Sequence, residues 1–366
     1  MGEVASGGVC RDHRGLWLVR REKFVSQLPV TPALAVSDSE LAEMAIHPES
    51  FWGVVVRRSR YVVAIAASAA VMLYVARPLV SPPPELAGLS LVAWPGHGGI
   101  VGAAVLTGVL VACILLSMIL CHPDSPHIGI YCALLGLGAL AIRGGNIHLM
   151  VYSGQTSGRL AAIHKLLALE CVQWAVIIIV CEVAIRLFYE RLFSNLRWLD
   201  RSGLSRESVE KMGHKVGGSV GGFAVSLWLL ALTRKSGDKK PNQIIQNVIA
   251  ILATVIVASG VLYVFMQSQN KGQVLFALYV SFALGGGLGR AAAPHCDLWA
   301  LMLAVPLTAA LGYLSASTHM QFPGESASIL SRALPVDYIC AGVPAVIFGY
   351  YTALRIQFRH ALDAQT

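Results

Sequence analysis

An arginine and an asparagine interrupt an apolar stretch in the first half of the chain, at Arg143 and Asn146. A charged side chain at membrane depth loses its hydration, so it is rarely kept there without a function. A guanidinium can bind a phosphate through two parallel hydrogen bonds, and a neighbouring amide can orient the bound group. The alternative is that Arg143 lies near a helix end and extends its charged head to the lipid headgroups. The residues alone leave both explanations open.

Three other stretches combine polar groups with glycine or with the start of an apolar run. In His97-Gly98-Gly99, a histidine precedes a long apolar run, and the glycines permit close approach of a backbone or a lipid. Gln243 stands at the start of another run, where an amide could equally bond a neighbouring helix. Arg290 ends a third run, directly after Gly289. These positions are the candidates for chemistry.

The composition indicates an integral membrane protein. Of the 366 residues, 55% are hydrophobic and 13% are charged, and the mean hydropathy is +0.64. Soluble globular proteins carry about a quarter charged residues. The net charge of +8 bears first on membrane orientation and anionic lipid, and no nucleic-acid-binding motif accompanies it. The eight cysteines contain no CxxC pair, so we expect neither a disulfide framework nor a metal site. We also expect no cofactor.

Apolar runs of about spanning length predict an all-α fold, a polytopic transmembrane helical bundle of about nine spans. Residues 1–60 are expected to form a cytoplasmic or interfacial segment, and residues 61–366 the transmembrane domain. The glycines at 285–287 and Gly289 predict close helix packing. The runs cover residues 61–75, 98–120, 128–150, 162–188, 216–233, 244–266, 273–289, 297–316 and 337–354.

Basic residues predict the orientation of the first spans. Arg57, Arg58 and Arg60 precede the first run, so the positive-inside rule puts the N-terminal segment in the cytoplasm and the end of the third run outside. The basic stretch 191–215 then returns inside. A count of nine puts the basic stretch 234–240 outside, against the same rule. This conflict keeps eight spans open as the alternative, with a re-entrant glycine-rich segment before that stretch.

Taken in order, the candidate stretches resemble the prolipoprotein diacylglyceryl transferase family of bacterial inner membranes. The family has a His-Gly-Gly stretch at the start of one span, matched by residues 97–99. It also has an Arg-x-Gly-Asn stretch with a glycine eight residues after the asparagine, matched by Arg143, Asn146 and Gly154. A later Pro-Ser/Thr-Gln stretch resembles Pro241-Asn242-Gln243.

A Gly-Gln…Ala-Leu-Tyr span of the family, which ends in an arginine, resembles residues 272–279 followed by Arg290. The two spans and basic loop within residues 161–235 then look like an insertion. Three positions where the family carries acids hold Val151, Gln246 and Pro294 instead. Carboxylates there would position the arginines or accept a proton.

The resemblance implies transfer of a diacylglyceryl group from phosphatidylglycerol, or another anionic phospholipid, to the lipobox cysteine of a lipoprotein precursor. The site would lie toward the outer face of the bacterial cytoplasmic membrane. Arg143 and Arg290 would hold the phosphate, and His97 would act as a base or contact the headgroup. The implied substrate-binding residues are Gly98, Gly99, Asn146, Gly154 and Gln243.

Two alternatives remain open on the sequence. The missing acids fit a lipid-binding or structural membrane protein that shares the family's fold without its activity. The other alternative is a secondary transporter. The acidic residues within the spans that such a transporter could use are almost confined to Glu170 and Glu182. Polar contacts between helices explain those two acids better than a proton path does.

Overall fold

The computed structural model describes residues 51–80, 99–121, 127–144, 147, 160–195, 243–268, 270–319 and 329–363. Apart from the last residues of the final helix, they belong to the compact unit Glu49–His360. Every regular element among them is helical. Of the predicted N-terminal segment, residues 1–50 lie outside the described residues. The first helix begins at Phe51, ten residues before the predicted run, because the arginines that follow are good helix formers.

Eight long helices make up the described bundle. The first continues through a π-helical turn, Met72–Ala76, into Arg77–Val80, and the last is preceded by Ile329–Ser331, Pro335–Asp337 and the π-helical turn Tyr338–Gly342. The long helices are α1 (Phe51–Val71), α2 (Gly99–Cys121), α3 (His127–Arg143), α4 (Leu160–Asn195), α5 (Gln243–Phe265), α6 (Lys271–Ala292), α7 (Leu298–His319) and α8 (Val343–Asp363).

Seven of the described helices are long and apolar enough to cross a membrane. Helix α3 has 17 residues, about 26 Å at a rise of about 1.5 Å per residue, which is less than the roughly 30 Å hydrocarbon core. It ends at Arg143 because Gly144 follows, with its N–H bonded to the Ala141 carbonyl at 3.2 Å. The helical membrane bundle is therefore confirmed, and the count of about nine spans is not. The predicted run 216–233 lies outside the described residues.

The helices alternate in direction, so the end of one helix and the start of the next lie at the same end of the bundle. Tyr61, midway along α1, packs in one cluster with Cys121, the last residue of α2, and Ile128 at the start of α3. Further along, Ser68 of α1 lies against Gly136 of α3, so α1 and α3 run in the same direction and α1 begins at this end. We call this the Arg290 end, because α6 also ends here. The opposite end, where α3 ends, is the Arg143 end.

The second half of the bundle is oriented by two contacts. Gln243 at the start of α5 bonds to Asp297, which directly precedes α7, so α5 and α7 begin together. His164 near the start of α4 stacks on Tyr313 near the end of α7, with ring centres 6.3 Å apart, so these two helices are antiparallel. Helix α4 therefore ends, and α5 begins, at the Arg290 end. These directions are the ones that the eight-span alternative requires.

Helix α6 lies against α5 and α8 at backbone distance. A Cβ on Gly285 would be 3.0 Å from the Thr254 carbonyl oxygen of α5, and one on Gly286 would be 2.9 Å from the Val346 carbonyl oxygen of α8. Any larger side chain at these positions would push the backbones apart. The close packing predicted from the glycines at 285–287 is confirmed.

Replacing Gly349 of α8 by alanine should destabilise the bundle, because the added Cβ would overlap the backbone carbonyl of Ala283 on α6. We expect a loss of about 1–3 kcal/mol in the free energy of unfolding. Gly260→Ala on α5 is the matched control, since a Cβ there meets open space, and alanine should gain up to about 1 kcal/mol of helix propensity. Denaturation in mixed detergent micelles measures both, and equal stabilities for the two variants would contradict the packing described.

Candidate functional site

Arg290 is a buried cation in the last turn of α6, with only 6% of its surface exposed. Its guanidinium carbon lies 5.1 Å from the centre of the Tyr350 ring on α8, within the range of a cation–π contact. Its Nε has no hydrogen-bond partner in the described part of the chain, and no carboxylate there forms an ion pair with it. The helix C-terminus favours a positive charge but does not neutralise it. Arg290 is therefore a candidate for binding an anion.

The carboxylate closest in the chain, Asp297, is held by the amides of α5 instead. Gln243 Nε2 donates to both carboxylate oxygens at 3.1 Å, and Asn247 Nδ2 donates to one of them at 3.1 Å. The backbone N–H of Asp297 donates to Asn247 Oδ1 at 2.9 Å. This clamp joins the starts of α5 and α7. It also brings Gln243 and Arg290, both predicted site residues, to the same end of the bundle.

Cys296 lies in the connection between Arg290 and Asp297. Burial raises the pKa of the Cys296 thiol, while the Arg290 guanidinium lowers it in part. Since the raised value lies above the ordinary range of a thiol, the group stays protonated near neutral pH. Cys296 is therefore not an activated nucleophile, because that role requires a thiolate.

Arg143 lies far from Arg290. It is the exposed last residue of α3, which begins at His127, and the Tyr351 hydroxyl lies 3.3 Å from His127 Nδ1. At about 1.5 Å per residue, Arg143 is about 24 Å further along the helix than His127. The two arginines predicted to hold one phosphate thus lie at opposite ends of the bundle. Spacing along the chain could not show this, because it does not give the direction of each helix.

The remaining predicted site residues either lie at one of these two ends of the bundle or fall outside the described residues. Gly99 is the first residue of α2, at the Arg143 end. Gln246, which stands where the resembling family has an acid, is half-buried on α5. Outside the described residues lie His97, Gly98, Asn146 and Gly154.

A second polar cluster at the Arg290 end joins α3, α4 and α8. Arg186 Nε donates to Glu182 Oε1 at 2.7 Å, and His127 Nε2 lies 3.5 Å from the same oxygen. The His127 ring also contacts Tyr351. Sequence reasoning found Glu182 but missed its partners. The available signal was the four-residue spacing from Glu182 to Arg186, which places both side chains on one face of α4.

The Arg143 end holds a buried ion pair that serves the fold. Lys271 Nζ lies 2.7 and 2.9 Å from the two carboxylate oxygens of Asp337, which also accepts the Leu334 backbone N–H at 3.0 Å. Nearby, Arg332 donates to the carbonyls of Met266 and Gln267, which directly follow α5. These contacts attach the approach to α8 to the start of α6 and satisfy the charges locally.

The other acid predicted within a span, Glu170, is fully buried on α4 and accepts the Trp174 Nε1–H at 3.2 Å. Within the described ranges, no group of three or more His, Cys, Asp and Glu side chains could hold a metal ion. No protein-family model, curated protein or solved structure matches the chain. Arg290, with its surroundings, is consequently the candidate site that the geometry supports best.

Proposed function

We propose that the protein binds the phosphate of an anionic phospholipid, with phosphatidylglycerol as the expected ligand, at Arg290. The observation that carries this proposal is the buried guanidinium, which has no carboxylate partner in the described part of the chain. A buried charge left without a counter-ion costs several kcal/mol. A phosphate would neutralise it and accept two parallel hydrogen bonds from the planar guanidinium.

The surroundings of Arg290 support a lipid ligand. The residue stands two positions before the end of α6, at the level where a spanning helix meets the headgroups. The Tyr350 ring contacts the guanidinium, and Asp297 is already occupied by Gln243 and Asn247. An anion that enters from the lipid side would meet a positive group without competition from this carboxylate.

We further propose that the Arg290 end faces the cytoplasm of a bacterial cell. Helix α4 ends and α5 begins at this end, and the chain between Arg191 and Lys240 carries ten Arg and Lys residues. Arg57, Arg58 and Arg60 at the start of α1 add to the same side. This distribution satisfies the positive-inside rule for both halves of the bundle.

Replacing Arg290 by glutamine should weaken binding of phosphatidylglycerol by at least about tenfold, or about 1.4 kcal/mol. Arg355→Gln is the matched control, because Arg355 is an exposed arginine on α8 toward the same end. Arg290→Lys retains the charge without the planar fork and should bind with intermediate strength. Binding is measured by native mass spectrometry of the full chain in micelles with added lipid.

Phosphatidylcholine and glycerol phosphate serve as the other ligands in that experiment. If the site binds a lipid, the unchanged protein and Arg355→Gln retain phosphatidylglycerol, and only Arg290→Gln loses it. If the site binds free phosphate, glycerol phosphate binds equally well. Unchanged lipid binding by Arg290→Gln, or equal loss in Arg355→Gln, would contradict the proposal.

The orientation is tested with two variants that each introduce one exposed cysteine, in a background without Cys10, since the seven other cysteines are buried. His295→Cys introduces an exposed thiol at the Arg290 end, and Asn270→Cys introduces one at the Arg143 end. A membrane-impermeant maleimide added to intact cells should label Asn270→Cys, and should label His295→Cys only after permeabilisation. The reverse pattern would show that the Arg290 end faces outward.

A second candidate function is the diacylglyceryl transfer that the family resemblance implies. The observation in its favour is that α2 begins at Gly99 and α3 ends at Arg143 at the same end of the bundle, which is the outer one in the proposed orientation. In this reaction the thiol sulfur bonds to the glyceryl carbon that carries the phosphate, the carbon–oxygen bond breaks, and glycerol phosphate leaves with the thiol proton. Arg143 would stabilise the leaving phosphate without Arg290.

Purified protein incubated with phosphatidylglycerol and a lipobox peptide tests this function. If the transfer occurs, the peptide cysteine gains the mass of a diacylglyceryl group, Arg143→Gln abolishes the gain, and Arg290→Gln retains it. No gain in peptide mass, with lipid still bound to the protein, would exclude the transferase and leave the Arg290 site standing.

A further inference from the structure

Gln173 is a polar side chain at the middle of α4, the longest of the described helices. The apolar span within this helix covers Leu160–Phe188. At a rise of about 1.5 Å per residue, Gln173 lies about 20 Å from one end of this span and about 22 Å from the other. The side chain is therefore near the middle of the bilayer.

The amide of Gln173 has no hydrogen bond in the described part of the chain. Its Oε1 atom is buried without a donor, although the side chain as a whole is only half-buried. No water is available in hydrocarbon to replace the missing bonds, so an unpaired amide at this depth is strongly unfavourable. A second amide matches it in both donor and acceptor, and rotation about the terminal side-chain bond lets either group face outward.

Gln173 also stands in a regular stripe of exposed aliphatic residues. The stripe follows alternating steps of three and four residues, which is the heptad spacing of one helix packed along another. Its aliphatic members are between 38% and 54% exposed. In chain order, the stripe consists of Leu166, Leu169, Gln173, Val176, Val180, Val183 and Leu187. We call it the α4 seam, and Gln173 is its single polar member.

We propose that two copies of this chain form a dimer through the α4 seam, in which the two Gln173 amides bond to each other. Copies of one protein insert in a membrane in the same orientation, so the two-fold axis of such a dimer lies along the bilayer normal. Residues at equal depth then meet across the axis, and Gln173 meets its own copy. The inference does not rest on the lipid site, because it uses no contact of Arg290.

One amide within an apolar seam accounts for both the association and its register. Helices in a membrane associate through close packing and interhelical hydrogen bonds, and an amide is one of the groups that supply such bonds. A polar side chain at a single heptad position also fixes the register, because any shift along the helix leaves it unpaired. The Val and Leu side chains of the seam supply packing without competing for the bond.

Gln246 on α5 shows why the depth of the amide matters. Its Oε1 is also buried without a hydrogen-bond donor, but it stands one turn after Gln243, where α5 begins. Water and headgroups reach the end of a spanning helix, so an amide at that level needs no second chain. At mid-depth α5 instead presents Ile256, which is apolar and 70% exposed, as a lipid-facing surface requires. The α4 seam differs from that surface by its amide.

Oxidative cross-linking in native membranes tests whether the two seams meet. In a background without Cys10, the remaining cysteines are buried, Val176→Cys adds a thiol on the seam, and Ile256→Cys adds one at comparable depth on α5. With copper phenanthroline as the oxidant, we expect at least about tenfold more disulfide-linked dimer from Val176→Cys, because a disulfide requires its two Cα atoms to lie within about 7 Å. Equal amounts from the two variants, or no dimer from Val176→Cys, would overturn the proposal.

Energy transfer between separately labelled full chains in phosphatidylcholine bilayers tests the amide contact. Gln173→Leu should weaken dimerisation by about tenfold, because the hydrogen bonds between the two chains are lost. Gln173→Asn retains an amide on the seam and should keep more of the dimer, which separates the hydrogen bond from a general loss of structure. Gln246→Leu is the matched control and should leave the dimer unchanged. Full dimerisation of Gln173→Leu, or an equal loss in Gln246→Leu, would overturn the proposal. Because these bilayers contain no anionic lipid, the result is independent of the Arg290 site.

Discussion

The contact of α6 with α5 and α8 at backbone distance is the interaction on which the described bundle depends. Glycines at 285 and 286 let the Thr254 and Val346 carbonyls approach so closely that a Cβ at either position would force its neighbour to shift. Because lipid tails are as apolar as the side chains, helices in a membrane associate by close packing and polar contacts more than by the hydrophobic effect. The crossing also places the two ends of α6, Lys271 and Arg290, at opposite ends of the bundle.

The charges at these two ends differ in a way that bears on function. Lys271 meets Asp337 in a buried pair and needs no further partner. Arg290 meets only a ring face and a buried thiol in the described part of the chain. A membrane bundle tolerates a buried charge when something compensates it, and this difference between the two ends of α6 is the basis of the phosphate ligand proposed for Arg290. The lipid phosphate is the anion that the membrane interface supplies in quantity.

The separation of Arg143 from Arg290 changes how the family resemblance can be used. A shared order of motifs does not require a shared site, and here the motifs reach two ends of one bundle. The resemblance therefore applies to the Arg143 end, where α2 begins and α3 ends. The Arg290 end stands on its own geometry, in which the amide clamp on Asp297 joins α5 and α7 and the Glu182 cluster joins α3, α4 and α8.

The sequence by itself determined the class of protein and much of its secondary structure. Apolar runs predicted the long helices because hydropathy and length are local properties. The glycines at 285–287 predicted a close crossing because small residues let helix backbones approach closely in membranes. The sequence also selected Gln243 and Arg290, although as parts of a different site. Tertiary structure alone decided the direction of each helix, and hence that Arg143 lies away from Arg290 and that His127 meets Glu182. His127 and Glu182 are 55 positions apart in the chain, and the packing of the whole bundle determines which helices become neighbours.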